Sequence, residues 1–87
     1  METSIEICNK LGLHARAAAK LVTVASNYRS EIKLSKGAKC VNAKSIMSVL
    51  MLAAGKGAVL KIITEGKDAE EATTAIVNLI NDKFEEE

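Results

Sequence analysis

The sequence predicts a small α+β domain, a two-layer sandwich with helices over one face of a sheet and water on the other. Two short segments, residues 4–8 and 31–36, alternate polar with apolar residues, as half-buried strands do, and residues 39–41 read as a short returning strand. Between and after the strands, apolar residues recur at helical spacing, and the order reads β-α-β-β-α-β-α. Glu6, Lys33 and Lys61 fall on the polar side of their strands, which predicts one wet face. The 87 residues make one domain, 1–87, without repeat or linker. A chain of this size buries roughly 60–65% of its unfolded surface. With one Tyr, one Phe and no Trp, its core must be aliphatic.

The first strand is expected over residues 3–9, with Ile5 and Ile7 inward. Asn9-Lys10-Leu11-Gly12 connects it to a helix from Ala15 to about Asn27, with a buried stripe of Ala18, Leu21, Val22 and Ala25. Arg16, Lys20 and Thr23 fall off that stripe, and Arg16 and Lys20 share a face one turn apart. The next two strands form a hairpin that turns at Gly37-Ala38, with Ile32 and Leu34 inward. Ser45 is the natural N-cap of a second helix that runs from Ile46 to Ala54 and ends at Gly55 or Gly57. This helix is apolar nearly all round. Packed on one sheet it can bury only about half its circumference, so part of it must form an exposed interaction patch. Val59-Leu60-Lys61-Ile62-Ile63-Thr64 is the most apolar strand and suits the sheet centre. Asp68-Ala69-Glu70-Glu71 has the capping-box pattern, and Ala72, Ile76, Leu79 and Ile80 form the last stripe. The segment Phe84-Glu85-Glu86-Glu87 reads as a frayed end.

Composition excludes several function classes. Twelve basic against eleven acidic residues leave a net charge of +1, too little for a nucleic-acid-binding stripe. Two aromatic residues supply no base-stacking platform. No apolar run is long enough to span a bilayer and no signal peptide opens the chain, so membrane insertion is not expected and a cytoplasmic location is. Cys8 and Cys40 lack the close pairing of a zinc site, and no metal site is expected. Gly55-Lys56-Gly57 is not a P-loop, because the upstream glycine and the following Ser or Thr are absent.

His14, the only histidine, lies where a loop meets a helix, in Gly12-Leu13-His14-Ala15-Arg16-Ala17-Ala18-Ala19. Unpaired backbone N–H groups at a helix start favour negative charge by dipole and hydrogen bonding, and Arg16 adds a fixed positive charge. An imidazole there can do acid–base work, bind phosphate or carry a phosphoryl group. It can also be merely structural, and the local residues do not choose.

Two blocks give the chain a resemblance. Gly12-Leu13-His14-Ala15-Arg16 resembles the active-site motif of the HPr family, the histidine-containing phosphocarriers of the bacterial phosphotransferase system. Asn42-Ala43-Lys44-Ser45-Ile46-Met47-Ser48-Val49 is similar to the family's regulatory-serine motif, and Leu52-Ala53-Ala54-Gly55-Lys56-Gly57 continues the match. The resemblance covers essentially the whole chain. It implies an open-faced sandwich whose four-stranded antiparallel sheet, in the order 1-4-2-3, is covered on one face by three helices. Cys8 and Cys40 would then stand on opposite edge strands roughly 14 Å apart, too far for a disulfide.

The resemblance also implies roles. His14 would be phosphorylated on Nδ1, receiving the group from enzyme I, itself charged by phosphoenolpyruvate, and passing it to an enzyme IIA in sugar uptake or a regulatory branch. Such a carrier is a phosphotransferase component that turns over only with partner enzymes, and no cofactor is implied. Arg16 and the backbone N–H groups of Ala15, Arg16 and Ala17 would hold the phosphate. Ser45 would be the target of an HPr kinase/phosphorylase, and Lys20, Ile46, Met47 and Leu50 would contact partners. Read plainly, Ser45 is an N-cap and the apolar three are core. A carrier that presents one face to several partners is expected to be a monomer. The chain departs from many relatives at Ala17, where they have proline after the arginine. That change predicts an altered phosphohistidine lifetime rather than lost activity. The competing reading is a regulatory adaptor of the same fold, controlled at Ser45, that works by binding a kinase or transcription regulator.

Overall fold

The computed structural model describes residues 1–86. Its elements are β1 (Glu2–Glu6), α1 (Ala15–Ala25), β2 (Glu31–Lys36), β3 (Lys39–Asn42), α2 (Ile46–Leu50), β4 (Val59–Glu65) and α3 (Ala69–Asn81), followed by a 3-10 turn, Lys83–Glu85. The strands form one antiparallel sheet in the order β1-β4-β2-β3, so the most apolar strand is indeed internal. The registers Leu34↔Ile62 and Ile5↔Leu60 line up the inward residues of three strands. On the covered face Ile32, Leu34, Leu60 and Ile62 are fully buried with Ala18, Leu21, Ile76 and Ile80 from the helices. On the other face Lys33 pairs with Glu31 at 3.1 Å and Lys61 with Glu2 at 3.6 Å, both pairs exposed. The result is an open-faced α+β sandwich. Buried Thr64 and Thr73 join their hydroxyls at 2.8 Å, so β4 and α3 meet with these polar groups paired.

The first helix stops at Ala25, and Ala17 joins its buried stripe while Val22 is only half-buried. β1 leaves the sheet after Glu6, although Ile7 still exchanges two 2.8 Å backbone bonds with Gly57 and Ala58. The second helix is five residues, not the expected nine, and glycine does not end it. Ala53 takes the left-handed conformation (φ 51°), while Leu52 and Ala54 turn into the core. Lys36 Nζ donates to the Leu52 and Ala53 carbonyls at 3.1 and 3.2 Å, and Lys39 Nζ to that of Met51 at 3.3 Å. Two hairpin lysines thus satisfy the carbonyls left open where the helix breaks off.

Asp68 starts α3, but its carboxylate caps nothing there. It accepts instead from the backbone N–H groups of Arg29 and Ser30, each at 2.9 Å, and from the Ser30 hydroxyl. These bonds, led by the hydroxyl, hold its pKa down to about 2 from the ordinary 3.8. The segment after α3 is not frayed. Phe84 is fully buried, and residues 83–86 fold back over the start of α1; Glu87 lies outside the described residues. Both cysteines are free, Cys8 just beyond one sheet edge and Cys40 exposed on the other. Among the described residues no helix is long and apolar enough to cross a membrane.

Candidate functional site

The loop between β1 and α1 is a rigid bracket. Asn9 is buried, and its Nδ2 donates to the Gly12 carbonyl at 2.9 Å while the Gly12 N–H returns to the Asn9 carbonyl at 3.2 Å. Gly12 is left-handed (φ 68°), and a Cβ there would stand 2.5 Å from the Ala54 carbonyl oxygen and 2.7 Å from Gly55 Cα. Only glycine fits that approach. The Leu13 N–H then donates to the Ala54 carbonyl at 2.8 Å, tying the loop to the segment after α2. Leu13 is buried behind it. The next residue, His14, is thereby delivered to the N-cap of α1 in extended geometry.

His14 does not cap with its side chain. Its carbonyl takes the first helical bond, from the Ala18 N–H at 2.8 Å, so the N–H groups of Ala15, Arg16 and Ala17 stand ahead of the ladder. The His14 side chain is about 28% exposed. Arg16 is exposed and forms no ion pair among the described residues, so its charge remains available at the helix start. The candidate phosphate-holding groups thus come from four consecutive residues, His14 to Ala17: one imidazole, three backbone donors and one guanidinium.

Lys20 is differently engaged. Its Nζ donates to the Phe84 carbonyl at 2.7 Å and lies 3.8 Å from Glu85. Three consecutive residues there, Lys83, Phe84 and Glu85, have left-handed φ values of 54°, 55° and 63°. Such backbone costs an L-residue roughly 1–2 kcal/mol, so the turn is held against its own preference. Phe84 in the core and the Lys20 bond are what hold it. The consequence is chemical: Glu86 is set down beside His14, Oε2 on the ring Nε2, while its Oε1 accepts from Asn9 Nδ2 at 3.0 Å. Asn9 Oδ1, also buried, has no partner among the described residues.

At the second site, Ser45 caps α2 through a long bond, its Oγ accepting from the Ser48 N–H at 3.4 Å. Beside it Ile46 and Met47 are 40% and 68% exposed, and Leu50 is half-buried. Met51 and Leu11, at 69% each, extend the exposed apolar surface. Leu11 belongs to the His14 loop, and Gly12-Leu13 of that loop abut the segment after α2. Sequence reasoning missed Asn9, Leu11, Met51 and Glu86. For Glu86 the only signal was Phe84, an apolar anchor among acidic residues.

Comparison with known proteins bears on this geometry. The family model described as "PTS HPr component phosphorylation site" matches residues 1–82. The phosphocarrier protein HPr of Pseudomonas aeruginosa is 54% identical over 83 residues, 94% of this chain and 92% of that relative. HPr of Neisseria meningitidis serogroup A is 50% identical over 86 residues, 99% of this chain and 97% of its own. Among solved structures, HPr-C-His from Thermoanaerobacter tengcongensis superposes with a TM-score of 0.97 at 52% identity, covering 100% of this chain and 98% of that one.

Proposed function

The chain belongs to the HPr family of the phosphotransferase system, and from that membership we propose that it relays a phosphoryl group on His14. Enzyme I, charged by phosphoenolpyruvate, is the donor, and an enzyme IIA is the acceptor. One observation supports this most. An imidazole without a capping duty stands at a helix start, followed by three unladdered N–H groups and by Arg16, which forms no ion pair among the described residues. Phosphoryl transfer needs positioning and charge neutralisation more than covalent machinery, and this arrangement supplies both. The donors of Ala15, Arg16 and Ala17 and the Arg16 guanidinium hold the transferred group.

The partners dock on the apolar surface of Ile46, Met47 and Leu50, with Leu11 and Met51 enlarging it. Lys20 contributes by anchoring the turn behind His14 rather than by an uncommitted charge. Ser45, at the edge of that surface, is the regulatory phosphorylation site for an HPr kinase/phosphorylase. The protein works as a monomer in the cytoplasm, where phosphoenolpyruvate and both partners meet. Incubation with phosphoenolpyruvate and purified enzyme I, read by intact mass and acid lability, tests the relay. Wild type is expected to gain one acid-labile phosphate and His14→Ala none.

The exposed apolar patch beside Ser45 favours a second reading, an adaptor that only binds. An unmodified wild type, with the same enzyme I active on another carrier, would leave that reading standing and remove the first.

A further inference from the structure

An imidazole can react through either nitrogen, and the proton decides which. The geometry points to Glu86 as the positioning residue that holds the His14 proton on Nε2 and thereby presents Nδ1 as the nucleophile; the inference rests on the carrier reading above. An ionised carboxylate accepts hydrogen bonds and cannot donate them. The contact between Glu86 Oε2 and His14 Nε2 therefore requires the proton on Nε2. In the neutral ring the lone pair then sits on Nδ1. Among the described residues no side-chain cap bond to α1 competes for the ring, and the contact that fixes the tautomer is the one to Glu86. A carboxylate on one ring nitrogen orients the other in the same way in metal sites and hydrolytic triads.

Glu86 is well enough held to do this. Its side chain is only 14% exposed, and its second oxygen accepts from buried Asn9, whose amide also binds the Gly12 carbonyl of the His14 loop. Nδ2 of Asn9 thus donates to both, and carboxylate and imidazole are referred to one bracket. Behind them Phe84 and Lys20 anchor the turn independently of the Glu86 side chain.

The covalent step balances without an outside base. The Nδ1 lone pair forms the N–P bond while the donor's bond to phosphorus breaks, its electron pair staying on the donor. The product ring keeps its Nε2 proton and becomes a phosphoimidazolium, whose positive charge faces the Glu86 carboxylate. On transfer to the acceptor the N–P pair returns to Nδ1. The proton never leaves Nε2, so loading and unloading are the same motion run in two directions.

Imidazole 15N spectra of unphosphorylated wild type, Glu86→Ala and Glu86→Gln, with the kinetics of phosphorylation by enzyme I, test the assignment. Wild type is expected to show the Nε2–H tautomer. Glu86→Ala should spread the ring over both tautomers and lower kcat for phosphoryl uptake about tenfold with KM little changed. Glu86→Gln, whose carbonyl still accepts from Nε2–H, should restore the tautomer and part of the rate. A wild-type signature retained in Glu86→Ala would overturn the assignment, as would a wild-type ring protonated on Nδ1. Wild type that accepts no phosphate would overturn the carrier reading alone, because the spectrum judges Glu86 without any transfer.

Discussion

Two helices of this protein begin with side chains of different use. At α2, Ser45 turns its hydroxyl back onto the Ser48 N–H, and the helix start is partly closed. At α1, His14 occupies the same position but directs its ring away, toward Glu86, and three N–H groups have no partner among the described residues. A serine cap typically stabilises a helix by about 1 kcal/mol, so the histidine start forgoes stability of that order. On the proposed carrier reading, what it gains is an anion site next to a nucleophile. The difference between the two starts is that one side chain is spent on capping and the other is not.

The largest effect separates the cap that Ser45 forms from the regulatory role proposed for it. Aspartate caps as well as serine, so Ser45→Asp should leave the melting temperature nearly unchanged. It places a fixed negative charge beside Ile46 and Met47, however, and should raise KM for enzyme I roughly tenfold if that partner's surface is acidic. Steady-state phosphorylation assays on the variant check it. An unchanged KM would confine Ser45 to capping and detach it from regulation.

How much of this contrast could be read beforehand depends on how local its causes are. Strand alternation and the positions of His14 and Ser45 are local, and the residues at both helix starts and the wet face agree with them, while the sheet order agrees with what the family resemblance implies. The end of α2 is not local. The apolar run continues through Leu52 and Ala54 because both are core, and past the end of the helix Lys36 and Lys39 reach the carbonyls of Met51, Leu52 and Ala53 from a hairpin. Asp68 has a capping sequence, yet its partners are Arg29 and Ser30, brought there by the fold. Glu86 reads as one more charge in an acidic run until Phe84 is seen as buried. Each miss is a long-range hydrogen bond or ion contact that overrode a short-range pattern.

The open start can be closed by one group. Proline at position 17 fits the first turn of a helix and removes one of the three N–H groups ahead of the ladder. Ala17→Pro should still accept phosphate, but its phosphohistidine should hydrolyse a few-fold faster, in keeping with one hydrogen bond of about 1 kcal/mol. Ala17 is fully buried, so a melting curve must accompany the measurement to separate crowding from the lost donor. Equal lifetimes would mean that the Ala17 N–H does not touch the phosphate and that Arg16 and the first two donors suffice.

The third helix gives the smallest effect and the sharpest control. Asp68 occupies the start of α3 but serves the loop before β2, and its pKa of about 2 lies below the ordinary 3.8 because the folded state hydrogen-bonds the carboxylate. A depressed carboxylate pKa stabilises the fold above the unfolded value, and the contribution fades as pH falls through the folded one. Wild type should therefore exceed Asp68→Asn in stability by a constant margin above about pH 5, and the margin should shrink between pH 4 and 2. Denaturant midpoints at a series of pH values read this directly. A margin that stays constant down to pH 2 would assign the benefit to shape rather than to charge. Asp68 would then be an ordinary hydrogen-bonding side chain, and His14 would be the only helix start here whose residue depends on its protonation state.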